Sequence, residues 1–216
     1  MDGTLVDTEP LWFAAEGAMV ARFGGEWTAE LAHRMVGLAL MDGARVLQEH
    51  GVDLPAEEIV EEMLDHVVAG LADGVVWQPG ARELLAELAA AGVPCALVTM
   101  SFRRFVDAVV AQAPAGAFAV VVAGDDVTVG KPDPEPYLHA ARILGVDPAD
   151  CVAIEDSPPG ITAALASGAR TLGVEHIVAV ELRPSLSRVP SLAGVHLADL
   201  ERIAAGYDLD LLADPA

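Results

Sequence analysis

The chain has 216 residues, 53% of them hydrophobic and 21% charged, with 33 acidic against 12 basic side chains and a formal charge of -21. That length permits one large domain or a core with a smaller insert, and the composition is that of a globular α/β protein rather than a disordered one. The acidity excludes nucleic acid and anionic lipid surfaces as expected partners, because there is no basic footprint to release their counterions. A small phosphorylated molecule stays compatible, provided that a metal ion and a few donors are concentrated at one site.

The most apolar stretch, Ala115 to Gly124, falls far short of the ~20 residues that a spanning helix needs. No basic or apolar leader region is visible at the amino terminus, so the default expectation is a cytoplasmic address. Cys95 and Cys151 are too few for a disulfide scaffold and too distant for a metal knuckle. Lying in apolar runs, they are expected as buried, reduced thiols. The six histidines are scattered and form no zinc signature.

In chain order, the stretch from Leu11 to about Val75 reads as helices only. Thr8 is placed to cap the first, with Pro10 in its opening turn and Leu11, Ala15 and Ala18 at helical spacing. Thr28 is placed to cap a second, which Gly37 ends. A third is expected near Asp42 to His50, closed by Gly51, and a fourth from Pro55 to Leu71. From Trp77 onward short apolar runs alternate with helical stretches. The expected strands are Val93–Thr99, Phe118–Ala123, Cys151–Glu155, Arg170–Val174 and Val195–Leu197. The expected helices are Ala81–Ala91, Phe102–Gln112, Pro136–Leu144 and Gly160–Ser167, with Gly92, Gly145 and Gly168 as stops. This alternation predicts an α/β fold with a doubly wound, Rossmann-like parallel sheet and a helical insertion near its start.

In such sheets ligands sit beyond the carboxyl ends of the strands. Four polar features fall there: Asp2-Gly3-Thr4 at the start, Thr99-Met100-Ser101, Lys131 in Gly130-Lys131-Pro132-Asp133-Pro134, and Glu155-Asp156 before Ser157-Pro158-Pro159-Gly160. Each alone has an ordinary explanation. Asp-Gly is a common turn pair, Thr99 is a β-branched strand residue, Lys131 is a solvated loop charge, and acidic residues favour a helix start. Their shared position at one sheet edge, in this order, is what needs explaining.

The series DGT, a strand-terminal Thr, GKPDPEPY and IEDSPPGITAALASG resembles the four motifs of haloacid-dehalogenase-like hydrolases over nearly the whole chain. The opening MDGTLVDTEPLW and the helical insert resemble the subgroup of β-phosphoglucomutase and small sugar-phosphate phosphatases. The resemblance implies a catalytic core at 1–10 and 77–216 and a helical cap at 11–76. It implies an Mg2+-dependent phosphatase, acting on a sugar or polyol phosphate through an aspartyl-phosphate. Asp2 would be the acid/base and, through its carbonyl, a metal ligand. Thr99, Met100, Ser101 and Lys131 would hold the phosphate, with Lys131 also catalytic. Glu155 and Asp156 would complete the Mg2+ site, an all-oxygen donor set suited to that ion. Such a protein is expected as a monomer or weak homodimer.

Two departures from the family pattern bear on function. In Asp-x-Asp-Gly-Thr the attacking carboxylate falls immediately before Met1, together with the first core strand. The resemblance therefore implies either a sequence beginning at an internal methionine or a protein without its nucleophile, a catalytically dead binder of phosphorylated metabolites. Mutases of the subgroup also carry a cap His where this chain has Trp12, and a cap Lys and Arg where it has Val36 and Leu40. Arg34 and Arg45 are the nearby substitutes. Without these groups hydrolysis is the expected reaction and phosphomutase chemistry the alternative, and Trp12, Met35, Val36 and Leu38 would give the cap an apolar surface.

Overall fold

The computed structural model describes residues 1–35 and 38–212. The first part of the chain is helical: α1 (Glu9–Arg22), α2 (Ala29–Met35), α3 (Leu40–Glu49) and α4 (Ala56–Gly70) follow one another with no strand between them among the described residues. Capping explains one of the two starts where it was expected. Thr28 accepts the Leu31 N–H at 3.2 Å, as expected, and opens α2. Thr8 precedes α1 but makes no side-chain cap; its hydroxyl is turned instead to Asp2. The expected stop at Gly37 lies outside the described residues.

The remainder alternates as predicted: α5 (Ala81–Ala90), β1 (Ala96–Val98), α6 (Arg103–Val110), β2 (Val120–Val122), α7 (Glu135–Leu144), β3 (Val152–Glu155), α8 (Pro158–Ser167), β4 (Arg170–Val174), β5 (Leu186–Val189) and α9 (Leu197–Ala204). Gly145 and Gly168 take left-handed conformations, with φ of 72° and 90°, and end α7 and α8. All pairings between these strands are parallel, and they form two pieces, β1–β2 and β3–β4–β5. One continuous sheet was expected. No ladder joins the pieces among the described residues.

The strand expected at Val195–Leu197 is not one. His196 donates its backbone N–H to the Asp199 carboxylate at 3.0 Å, and that reach-back starts α9. The fifth strand is Leu186–Val189, which carries Ser187 and Arg188 and so lacks the apolar run that marks the others. The two cysteines are free and partly, not fully, buried. Among the described residues no helix is long and apolar enough to cross a membrane.

The chain leaves for the helical stretch and returns from it at one place. The Asp7 N–H donates to the Val76 carbonyl and the Gln78 N–H to the Leu5 carbonyl, each at 2.8 Å. Val6 and Trp77 pair antiparallel between them. A single apolar cluster continues from α1, α3 and α4 into Leu97, Phe105, Val106 and Ala123. Phe105 is fully buried there, and Trp12 meets its ring edge-on at 5.4 Å. A second cluster, around Leu172, Val189 and Leu192, sits under α5 and α9.

Phe105 therefore ties the helical stretch to the strand-bearing part. Phe105→Ala is expected to cost about 3–5 kcal/mol, as emptied aromatic core sites do. Guanidinium unfolding of the two proteins checks this, and a loss under 1 kcal/mol would show that the contact carries little.

Candidate active site

The first piece of the site is the turn at the start of the chain. Gly3 has φ of 73°, a conformation open to glycine, and a Cβ there would run into the Asp156 carboxylate. That close approach lets Thr4 donate its hydroxyl to Asp156 at 2.5 Å. On the other side, Asp2 accepts the Thr8 hydroxyl on one oxygen and the Ser101 hydroxyl, at 2.8 Å, on the other. The turn thus touches the loop after β1 through Ser101 and the loop after β3 through Asp156.

Thr99 is buried at the end of β1 and accepts the Ser101 N–H at 3.1 Å, shaping the loop. The Met100 sulfur accepts the Lys131 N–H at 3.5 Å. A Cβ on Gly130 would collide with the Met100 side chain, so that glycine permits the fit. Lys131 then crosses between the two sheets. Its Nζ donates to the Val98 carbonyl at 3.0 Å and forms an ion pair with Glu155, both side chains being 7% exposed. Tyr137 also donates to Glu155 and presents its ring to Nζ, 4.8 Å from the centroid.

Burial alone would raise the Glu155 carboxyl. The Lys131 ammonium, the positive amino terminus and the hydrogen bonds from Lys131 and Tyr137 outweigh it and hold the group below its ordinary value. Its neighbour behaves oppositely. Burial, and next the Glu155 charge, raise Asp156 to about 6 against pull from the amino terminus, Thr4 and His176. The two adjacent carboxyls therefore differ in kind: Glu155 is committed to Lys131, Tyr137 and Ser157, and Asp156 faces the turn.

All seven residues singled out from sequence, Asp2, Thr99, Met100, Ser101, Lys131, Glu155 and Asp156, line one cleft. The cleft also contains a row of groups on one helix of which sequence reasoning had singled out only Trp12. On α1, Glu9, Trp12, Phe13 and Glu16 recur at i, i+3, i+4 and i+7 and all face it. Burial, then Asp2, Asp156 and Asp7, raise Glu9 to about 7. Burial, then Glu9, raise Glu16 to about 8, and its Oε2 is enclosed without a hydrogen-bond partner among the described residues. The available signal was the period-3.6 placement of two acids on an otherwise apolar helix face. Tyr137 stood inside the GKPDPEPY motif but gave no sign of its partner.

Five carboxyl groups and one cationic side chain, that of Lys131, line the cleft among the described residues. At about 4 Å and an effective dielectric near 20, each like-charge pair costs roughly 4 kcal/mol. This oxygen-rich, negatively charged set fits a hard divalent cation. Asp156 and the Asp2 carbonyl suit it as donors. Glu155, already occupied, fits less well as a direct ligand than the motif implied. No three His, Cys, Asp or Glu side chains form a ready-made cage among the described residues, so water and substrate oxygens would complete the shell.

Glu16 gives the site a pH signature. Its folded value, about 8 against an ordinary 4.5, means that the folded chain keeps a proton which the unfolded chain has released. Stability from this group is therefore full below pH 4.5 and declines as pH rises toward 8. Glu9 acts in the same sense, so the difference between proteins is diagnostic. Relative to Glu16→Gln, the parent is expected to lose several degrees of Tm between pH 5 and 8 in metal-free buffer. Parallel Tm–pH curves would show that Glu16 is not held protonated.

The model of the haloacid dehalogenase-like hydrolases matches residues 1–168. Hexitol phosphatase A of Escherichia coli is 32% identical, over 81% of this chain and 80% of its own length. The bifunctional riboflavin kinase/FMN phosphatase of Arabidopsis thaliana is 30% identical over 81% of this chain, which spans 46% of that longer protein. The crystal structure of CbbY from Rhodobacter sphaeroides in complex with phosphate superposes with a TM-score of 0.84 at 30% identity, covering 93% of this chain and 96% of that one. With its four motifs gathered at one cleft and its match to that model, the chain belongs to the haloacid dehalogenase-like hydrolases.

Proposed function

We propose that the protein is an Mg2+-dependent phosphatase of a small sugar or polyol phosphate, with α1–α4 acting as a cap over a core formed by residues 1–10 and 77–216. The observation that carries this reading is Lys131. It is fixed between the ends of β1 and β3, beside Asp2, Ser101 and Asp156, where a phosphate needs a positive charge and donors. A hexitol phosphatase among the relatives and a phosphate-bound structural neighbour support the substrate class.

In this reading the Ser101 hydroxyl and Lys131 orient the phosphoryl oxygens, and Asp2 protonates the leaving alcohol as the family's attacking carboxylate takes the phosphoryl group. Asp2 then takes the proton of the water that cleaves the resulting aspartyl-phosphate to carboxylate and inorganic phosphate. Thr8 and Ser101 hold the Asp2 carboxyl in place for both transfers. Mg2+, held by Asp156 and the Asp2 carbonyl, would offset the surplus negative charge and that of the phosphate. The attacking carboxylate of the family pattern falls at the position before Met1, so the attack is assigned to no residue described here.

The cap-side residues favour hydrolysis over mutase chemistry. Trp12 is packed against Phe105, and Leu40 lines the cleft where a mutase has a basic clamp. Val36 lies outside the described residues. Arg34 is exposed, Arg45 pairs with Asp42 at 2.5 Å, and neither lines the cleft.

Two outcomes are expected of the chain extended upstream to include the family's attacking aspartate. Supplied with a panel of sugar and polyol phosphates, it should release inorganic phosphate without a bisphosphate activator. Isomerised sugar phosphate as the main product would establish a mutase, and tight phosphate-ester binding without turnover a binding protein. Turnover should stop in excess chelator and return with Mg2+. In calorimetric titration Asp156→Ala should weaken Mg2+ binding at least tenfold and more than Lys131→Ala does. Equal effects would remove Asp156 as a ligand.

A further inference from the structure

We infer that Glu16 is the residue that recognises the alcohol part of the substrate, by hydrogen bonding to a hydroxyl group remote from the phosphate. The inference rests on the phosphatase reading above and extends it to the cap side of the cleft. Glu16 is 4% exposed, yet its Oε2 meets no donor or acceptor among the described residues. A polar atom enclosed in this way costs stability unless a ligand completes it. Trp12, Phe13, Met35 and Met63 share the cleft with it and offer no hydrogen bond of the needed kind from their apolar surfaces.

Position along α1 says which part of a substrate it reaches. Glu9 lies within the field of Asp2 and Asp156, at the phosphate end. Glu16 is seven residues further on the same face, about 10 Å along the helix axis. A phosphate seated on Lys131 and Ser101 would direct the rest of its ester past Glu9 toward Glu16. The apolar side chains around it suit the carbon backbone of a polyol, and the single carboxyl suits one of its hydroxyls. Because burial keeps the group protonated near neutrality, it both donates and accepts, which matches a hydroxyl and gives a cationic amine little attraction.

The test is calorimetric titration of the full chain with Mg2+ present, using inorganic phosphate, glucitol 6-phosphate, n-hexyl phosphate and 6-aminohexyl phosphate. The parent should bind glucitol 6-phosphate at least tenfold more tightly than n-hexyl phosphate. Glu16→Leu should lose about tenfold of that affinity, near the worth of one good hydrogen bond, and keep its binding of inorganic phosphate and n-hexyl phosphate. Glu16→Gln should retain most of the preference. Both variants should melt no lower than the parent, since an unmatched buried carboxyl is removed. Equal loss toward all the ligands in Glu16→Leu would reveal a packing role and overturn the assignment. So would a parent that shows no hydroxyl preference or that favours 6-aminohexyl phosphate. Failure of inorganic phosphate to bind would overturn the phosphate site itself, and the assignment with it. Phosphate binding without hydroxyl preference removes only the role of Glu16.

Discussion

The ion pair between Lys131 and Glu155 is the interaction on which the site depends. It is buried, it spans the carboxyl ends of two sheets that share no ladder among the described residues, and Tyr137 and the Val98 carbonyl complete it. A buried pair is a modest source of net stability, but removal of one partner strands the other at about 3–5 kcal/mol. Its value here is positional. One side chain ties the end of β1 at the Val98 carbonyl to the end of β3 at Glu155.

The same arrangement divides labour between adjacent carboxyls. Glu155 is held ionised by a lysine, and Asp156, next in sequence, is pushed toward its neutral form by burial and by Glu155 itself. A cation placed beside Asp156 would reverse that push. Glycine makes the geometry accessible on each flank: Gly3 lets the first turn lie against Asp156, and Gly160 at the start of α8 leaves room for the Glu155 carboxylate. Any larger side chain at either position would occupy the space that a carboxylate oxygen now fills.

Most of the core was legible in the sequence because its signals are local. Thr28 capped where a cap was expected, Gly145 and Gly168 stopped their helices, and the runs VAIE and RTLGV became strands. The errors came from distant partners. Val195–Leu197 looks like a strand until Asp199 reaches back to His196, and LSRV, without an apolar run, was not among the expected strands yet pairs with β4. Thr8 has the residue type of a cap but spends its hydroxyl on Asp2. In the site, the motif residues were found because their order along the chain was distinctive. Glu9 and Glu16 were not, since an acid on a helix ordinarily faces water, and only packing shows that these two face the cleft.

The paired crossing of Leu5–Asp7 with Val76–Gln78 has a topological consequence. Two backbone hydrogen bonds hold the exit and the re-entry of the helical stretch side by side. The entropy of closing a loop grows only with the logarithm of its length, and here the ends are already joined by the fold on the strand-bearing side. The segment between them is thereby released from any duty to span a distance. Its length and internal arrangement can change while the crossing stays where it is, so the helical stretch and the loops at the strand ends can diverge separately.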